Sequence, residues 1–424
     1  MNKLIFGFLL CLTVPPLLAQ TTVEDRLAHL EEKVEEINLD RALDRVHFSG
    51  TFITNVEFLD SVKTDPTTGE KDKNYGNLAG LHVGLNIDFN ISEHLDFFTT
   101  IAMGKIYNSD SREGISEGSY HSLEGSYAYT GSDAKFDVAY LRWKAFENRL
   151  SLALGRMTTR GGPPLNQLDA LYRNGTYPRF SYNAIFDGVA LRYDFKNAMP
   201  KDMSFKTRIF YTPFFFTDKN DRTAAQVDPD ENKVDRRADQ TALLNEWDYE
   251  HTRIANKVSV YSMLWYYDSY YDAEYQDSAR SGPEYYRALN HTLYVGLEKI
   301  LNTGLNFSWS NLRVNDYLSG EGPSQSNSNL FNMNYTFEKE YVVGIEYINT
   351  DKNFYLDEYA YLQFNEFYQR SNNKGQHYFI AIPFNHQQVI RFGLYDYKAG
   401  VAPANNYFTN DRTQNIYTSY RIDF

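Results

Sequence analysis

Past its first twenty residues this 424-residue chain has no cysteine, no long apolar run and fewer positive than negative charges. Its one cysteine, Cys11, sits inside the opening apolar segment, so a chain trimmed of that segment has no disulfide, no reactive thiol and no thiolate-held metal. No later stretch approaches the roughly 18 consecutive apolar residues a spanning helix needs, which excludes a helical membrane bundle. With 42 Lys and Arg against 55 Asp and Glu the formal charge is -13, a poor match for nucleic acid. Catalytic signatures are also missing. There is no HExxH, G-x-S-x-G or phosphate-loop pattern, and the nine histidines, His82, His291 and His377 among them, form no pair at a recognisable spacing. Asp228, Asp230, Asn232 and Asp239 imitate positions of a calcium loop, but Lys233 stands where that loop turns on glycine. A solvated loop is the expectation there, with no metal, no cofactor and no enzymatic activity.

Aromatic residues are abundant, with 35 Tyr and 29 Phe, and favour strands over helices. The opening MNKLIFGFLLCLTVPPLLAQ has a charged Lys3, an apolar core and a small residue at Ala19, the pattern of an export signal over residues 1–19. Residues 20–45 form a second segment. Val23, Leu27, Leu30, Val34 and Ile37 step by four and three with glutamates between them, a heptad seam too short to be stable alone. It is expected either to associate across subunits, as a periplasmic coiled coil holding a homotrimer, or to pack on its own protein.

From residue 46 to 424 the period changes to two. Leu81, Val83, Leu85, Ile87, Phe89 and Ile91 alternate with His82, Gly84, Asn86, Asp88 and Asn90, and Val189, Leu191, Tyr193 and Phe195 alternate with Ala190, Arg192 and Asp194. Soluble sandwiches also alternate. The connections discriminate: seven short ones, near residues 92–94, 147–149, 197–203, 252–256, 301–303, 338–340 and 385–387, lie between eight long polar ones. That rhythm predicts an all-β fold, a transmembrane up-and-down antiparallel β-barrel of about 16 strands. Ile416, Thr418, Tyr420, Ile422 and Phe424 then share one face of a final strand, and Trp265, Tyr266, Tyr267, Tyr270 and Tyr271 suit the aromatic belts at a membrane interface.

Signal, coiled coil, amphipathic strands and terminal Phe together resemble the porins of Gram-negative outer membranes. The segment ALGRMTTRGGPPLNQLDALYRNGTYPRFSYNAIFDGVALRYDF, Ala153 to Phe195, is similar to a poorly characterised porin-like family with a short coiled coil before its barrel. The resemblance implies a cell outer-membrane location, contact with lipids and lipopolysaccharide, and assembly by the barrel machinery through Tyr420, Ile422 and Phe424. It also implies passage of small polar solutes, narrowed by a third external loop that corresponds here to residues 161–185. That loop does not carry the acidic motif of general porins.

The loop and its flanks hold Arg156, Arg160, Arg173 and Arg179 against Asp169 and Asp187, a positive stretch in a negative chain. With Arg192 on the following strand and Asp169 opposing, these arginines are candidates for a pore constriction that attracts anions. They are equally suited to pairing within the loop or to binding lipopolysaccharide phosphates. Other functional readings are a structural or adhesive barrel with a blocked lumen, and an oligosaccharide-specific porin.

Overall fold

The computed structural model describes residues 33, 45–64, 68–108, 135–158, 185–212, 237–271, 284–318, 324–338, 340–351, 373–398 and 410–424. Two units divide the chain, Met1–Val46 and His47–Phe424. Of the first, Lys33 is helical; the export signal and the seam residues Val23, Leu27, Leu30, Val34 and Ile37 lie outside the described residues.

Among its described residues the second unit is one closed barrel of sixteen strands. Its first half consists of β1 (Val46–Thr64), β2 (Lys71–Ser92), β3 (Leu95–Asn108), β4 (Lys135–Ala145), β5 (Leu150–Thr158), β6 (Ile185–Asp194), β7 (Met203–Thr212) and β8 (Arg237–Glu250). The second half consists of β9 (Ala255–Tyr271), β10 (Glu284–Ile300), β11 (Leu305–Leu318), β12 (Ser324–Thr336), β13 (Val342–Thr350), β14 (Lys374–Asn385), β15 (Gln388–Lys398) and β16 (Asn410–Asp423). Each strand neighbours the next in sequence, and β1 closes on β16 with Thr51 opposite Asp423 and Phe58 opposite Ile416. The number and order of strands follow the long-short rhythm of the connections. All seven short connections fall where the sequence puts them, at one end of the barrel.

Alternation decides which side chains meet water and which face outward. On β16 Ile416 is exposed on the outer face while Asn415, Tyr417 and Ser419 are buried inside. On β12 Phe331, Met333 and Tyr335 point out and Leu330, Asn332 and Asn334 point in. The outer surface is therefore an apolar band, the reverse of a soluble protein. Among the described residues no helix is long and apolar enough to cross a membrane. Toward the short-turn end the band finishes in rings. Tyr193 meets Phe195 at 4.7 Å between centroids, Phe195 meets Phe205 at 4.9 Å and Phe205 meets Trp247 at 5.4 Å. The aromatic-belt expectation is redirected at β9. Tyr266 is outward, but parity turns Trp265 into the interior, where it is buried; the side chains of Tyr267, Tyr270 and Tyr271 lie outside the described set.

The seam of the barrel depends on one glycine. Gly50 donates to the Phe424 carbonyl at 2.6 Å and accepts from its N–H at 2.9 Å. A Cβ at Gly50 would stand 2.4 Å from the Phe424 ring, so only glycine lets that ring lie over the junction.

Candidate functional site

In a barrel that encloses water the chemistry resides on the inward positions, and these divide into two walls. From β3 to β8 the wall is charged. Asp96 accepts from Arg142 Nη2 at 2.7 Å and from Lys144 Nζ at 2.9 Å. Arg142 also lies 4.5 Å over the Phe98 ring, a contact that holds a guanidinium without consuming its charge. Register places Arg192 directly opposite Arg208, and Lys206 between Asp194 and Glu246. Glu246 takes two hydrogen bonds from Arg208, at 2.7 and 3.0 Å, and Arg192 stands 3.5 Å from Asp194. Two like charges facing each other across adjacent strands are unfavourable by themselves, and Glu246 and Asp194 are what make the pair tolerable.

Exposure decides what this wall shows to the lumen. The side chains of Arg142 and Arg192 are 36% and 38% exposed, whereas the carboxylates of Asp96 and Glu246 retain 2% and 6%. The cations are the accessible partners. Neighbouring inward residues, including Phe98, Tyr140, Ser151, Ala190 and Lys206, are half-buried, whereas Ala102, Val138, Phe210 and Leu244 on the same strands are buried, so the wall is open around its charged patch.

The opposite wall, β11 to β16, is uncharged on its surface and closed over along β11 to β14, while β15 and β16 carry Arg391, Arg421 and Asp423 on their inward faces, with Arg421 donating to Asp423 at 2.9 Å. A chain of hydrogen bonds runs along it. Asn306 Nδ2 donates to Asn334 at 2.8 Å, Asn334 Nδ2 to Asn332 at 3.0 Å, and Asn332 Nδ2 to Glu346 at 2.8 Å. Glu346 Oε2 lies 3.0 Å from His377 Nδ1, and His377 Nε2 lies 2.9 Å from the Tyr417 hydroxyl. The imidazole is stacked at 3.9 Å on Tyr395. Tyr417 in turn needs Gly393 beside it, since a Cβ there would come within 2.4 Å of its ring. Carboxylate, imidazole and hydroxyl in line suggest a catalytic relay, but His377 and Glu346 are fully enclosed and no substrate reaches their atoms. The hydrogen bonds tie β11, β12, β13, β14 and β16 together. Leu312, Val314, Ser326, Ser328 and Ile348 on the same wall are likewise fully buried.

The sequence candidates are distributed unevenly over this geometry. Arg192 is inward, as the alternation of Val189, Leu191 and Tyr193 requires, and so are Asn86 and Asp88 on β2, with Asn86 accepting from Thr100 at 2.8 Å. Arg156 is set opposite Ala139 and Asp187, sharing the parity of the outward Leu152 and Leu154, so the register does not bring it to Arg192. Arg160, Asp169, Arg173 and Arg179 lie outside the described residues, on the long connection from β5 to β6. Tyr420 and Ile422 share the outward face of β16 with Phe424. Asp96, Arg142, Arg208 and Glu246, which complete the charged wall, are absent from the sequence-level candidates. They come from hairpins 38 to 46 residues apart, and only the closed register makes them neighbours. Among the described residues no group of three or more His, Asp or Glu could hold a metal ion.

A closed, sequentially ordered barrel with an apolar exterior and charged interior is the fold of outer-membrane porins, and solved structures of that class superpose on it. Pseudomonas putida OprB, in its high-pH structure, matches with a TM-score of 0.57 and 12% identity over 91% of this chain and 96% of its own. The Salmonella typhi OmpF complex with daunomycin matches at 0.50 and 13% over 89% and 97%, and an anion-selective porin from Comamonas acidovorans at 0.50 and 12% over 89% and 99%. At these identities the likeness is one of fold. Residues 72–235 match the model of a family described as a protein of unknown function, DUF3373. No curated protein matches the sequence.

Proposed function

We propose that the chain is an outer-membrane channel for passive diffusion of small polar solutes and ions, and that its charged wall favours anions. The observation that carries this reading is the asymmetry of exposure on β3 to β8: in each pair the guanidinium is more exposed than its carboxylate, at 36% against 2% for Arg142 and Asp96, 38% against 18% for Arg192 and Asp194, and 17% against 6% for Arg208 and Glu246. In a water-filled passage with low-dielectric walls such a surface raises the local concentration of anions. The buried stretch β11 to β14 supplies no comparable route, so the passage runs along β3 to β8. The connection bearing Arg160, Asp169, Arg173 and Arg179 joins two strands of the open wall, which supports giving it the narrowing role. Arg156 belongs to this proposal only as a flank of that connection.

The burial of β11 to β14 favours a second reading, a structural barrel whose lumen is blocked. Incorporation into a planar bilayer separates the two. Discrete conductance steps that grow with salt concentration support a channel; protein that inserts, migrates as a heat-modifiable barrel and yields no steps is a structural barrel. Replacing Arg173 and Arg179 with Glu should shift ion preference toward cations if the connection narrows the passage.

The homotrimer, lipid and lipopolysaccharide contacts and barrel-assembly partners belong to the same proposal. The seam residues 23–37 would hold copies together on the periplasmic side, and Leu30→Asp should then weaken association while leaving the barrel folded.

A further inference from the structure

The outer band also carries polar side chains, among them Asn311 and Asn329, where Asn311 donates to Asn329 at 3.0 Å beside Trp309, and on β7 to β10 they form a row. Four successive strands each carry a polar residue on the outward face, flanked on its own strand by apolar ones. Thr207 lies between Phe205 and Ile209, Asn245 between Leu243 and Trp247, Ser262 between Val260 and Leu264, and His291 between Leu289 and Leu293. Register sets Thr207 opposite Asn245 and Asn245 opposite Ser262. Thr207 Oγ1 donates to Asn245 Oδ1 at 2.8 Å, and Ser262 Oγ is 3.2 Å from His291 Nε2. Threonines elsewhere in the band satisfy themselves. Thr54 donates to the Gly80 carbonyl at 3.2 Å and Thr99 to the Val138 carbonyl at 3.0 Å. The row on β7 to β10 does not close its account this way. Among the described residues the Asn245 Nδ2 hydrogens and His291 Nδ1 have no further partner.

Hydrocarbon offers neither donor nor acceptor, so lipid tails cannot satisfy these groups. We infer that the β7 to β10 wall is where a second copy of this chain docks within the membrane. The row is self-complementary. Asn245 presents donors, and His291, in the tautomer that gives its Nε2 proton to Ser262, presents an acceptor at Nδ1. A symmetry axis along the membrane normal brings the same donors and acceptors from each copy to one contact, as a closed oligomer requires. This inference rests on the barrel being in a membrane and does not depend on conduction.

The test uses the full-length chain with Cys11→Ser, so that one introduced cysteine is the only thiol. Ser262→Cys in outer-membrane vesicles, treated with a short bismaleimide, should give a covalent species of two or more copies. Val83→Cys and Ile416→Cys, on the outward faces of β2 and β16, should remain monomeric under the same treatment. Asn245→Leu combined with His291→Leu should lose most of the oligomer in mild detergent while remaining heat-modifiable. Monomer alone from Ser262→Cys, or cross-linking at Val83 or Ile416 instead, overturns the inference, as does an oligomer unchanged by the double leucine variant. Conductance of the same preparations reports on the channel reading separately.

Discussion

The two lumenal walls use polar residues for opposite ends. On β11 to β16 Asn306, Asn334, Asn332, Glu346, His377 and Tyr417 hand hydrogen bonds along the wall, and these six groups are turned to one another rather than to water. On β3 to β8 the groups are also paired, but unequally, with each guanidinium more exposed than its carboxylate. The first arrangement is one that stiffens a sheet; the second leaves charge available to solutes. A polar interior is therefore not by itself a sign of a channel, and the partner's burial distinguishes the two cases.

The comparison breaks most easily at His377. Removing it leaves Glu346 buried without its imidazole, and breaking a buried pair costs about 3–5 kcal/mol. His377→Ala should lower the urea midpoint of the barrel by a corresponding amount and leave ion preference unchanged; a large shift in preference would erase the difference between the walls. Glu246→Gln acts on the other wall. It removes the carboxylate that takes both hydrogen bonds from Arg208 beside Arg192, at a cost of about 1–3 kcal/mol for the buried groups left poorly matched. Anion preference should rise as stability falls.

Arg192→Gln should have the reverse profile. Its pair with Asp194 is partly exposed, worth about 1 kcal/mol or less, so unfolding should barely move while anion preference drops. The drop should be largest in dilute salt, since screening reaches about 10 Å at 0.1 M and about 3 Å at 1 M. The smallest effect belongs to Thr292 on β10, whose hydroxyl is fully buried with no hydrogen-bond partner among the described residues. Thr292→Val should be neutral or stabilising by about 1 kcal/mol in the same urea titration, because no bond is lost and no polar atom remains to be desolvated.

Much of this architecture is legible in the sequence, because a barrel's strand order is its chain order and its faces alternate strictly. Seven turns, sixteen strands, the inward Asn86, Asp88 and Arg192 and the outward face of β16 all follow from period and loop length. The walls are less legible. Arg142 stands between Leu141 and Trp143, and Glu246 between Asn245 and Trp247, so each is a visible inward position in its own strand. That Asp96 lies behind Arg142, and Glu246 behind Arg208, is a matter of register between hairpins that no local pattern encodes. Thr241–Glu250 is a weak strand by alternation for a physical reason, since Asn245 is polar on the face that should be apolar. The irregularity marks the outward row rather than a poor strand.

The central claim, that exposed guanidiniums on one wall set the ion preference of a conducting barrel, is tested most directly by the zero-current potential across a planar bilayer in a tenfold potassium chloride gradient. The native protein should make the dilute side negative, because chloride crosses more readily than potassium. Replacing Arg142, Arg192 and Arg208 together with Gln, in a barrel that still folds, should move that potential toward zero or beyond it to positive. A potential that is the same in both proteins, or a dilute side already positive in the native one, would contradict the account.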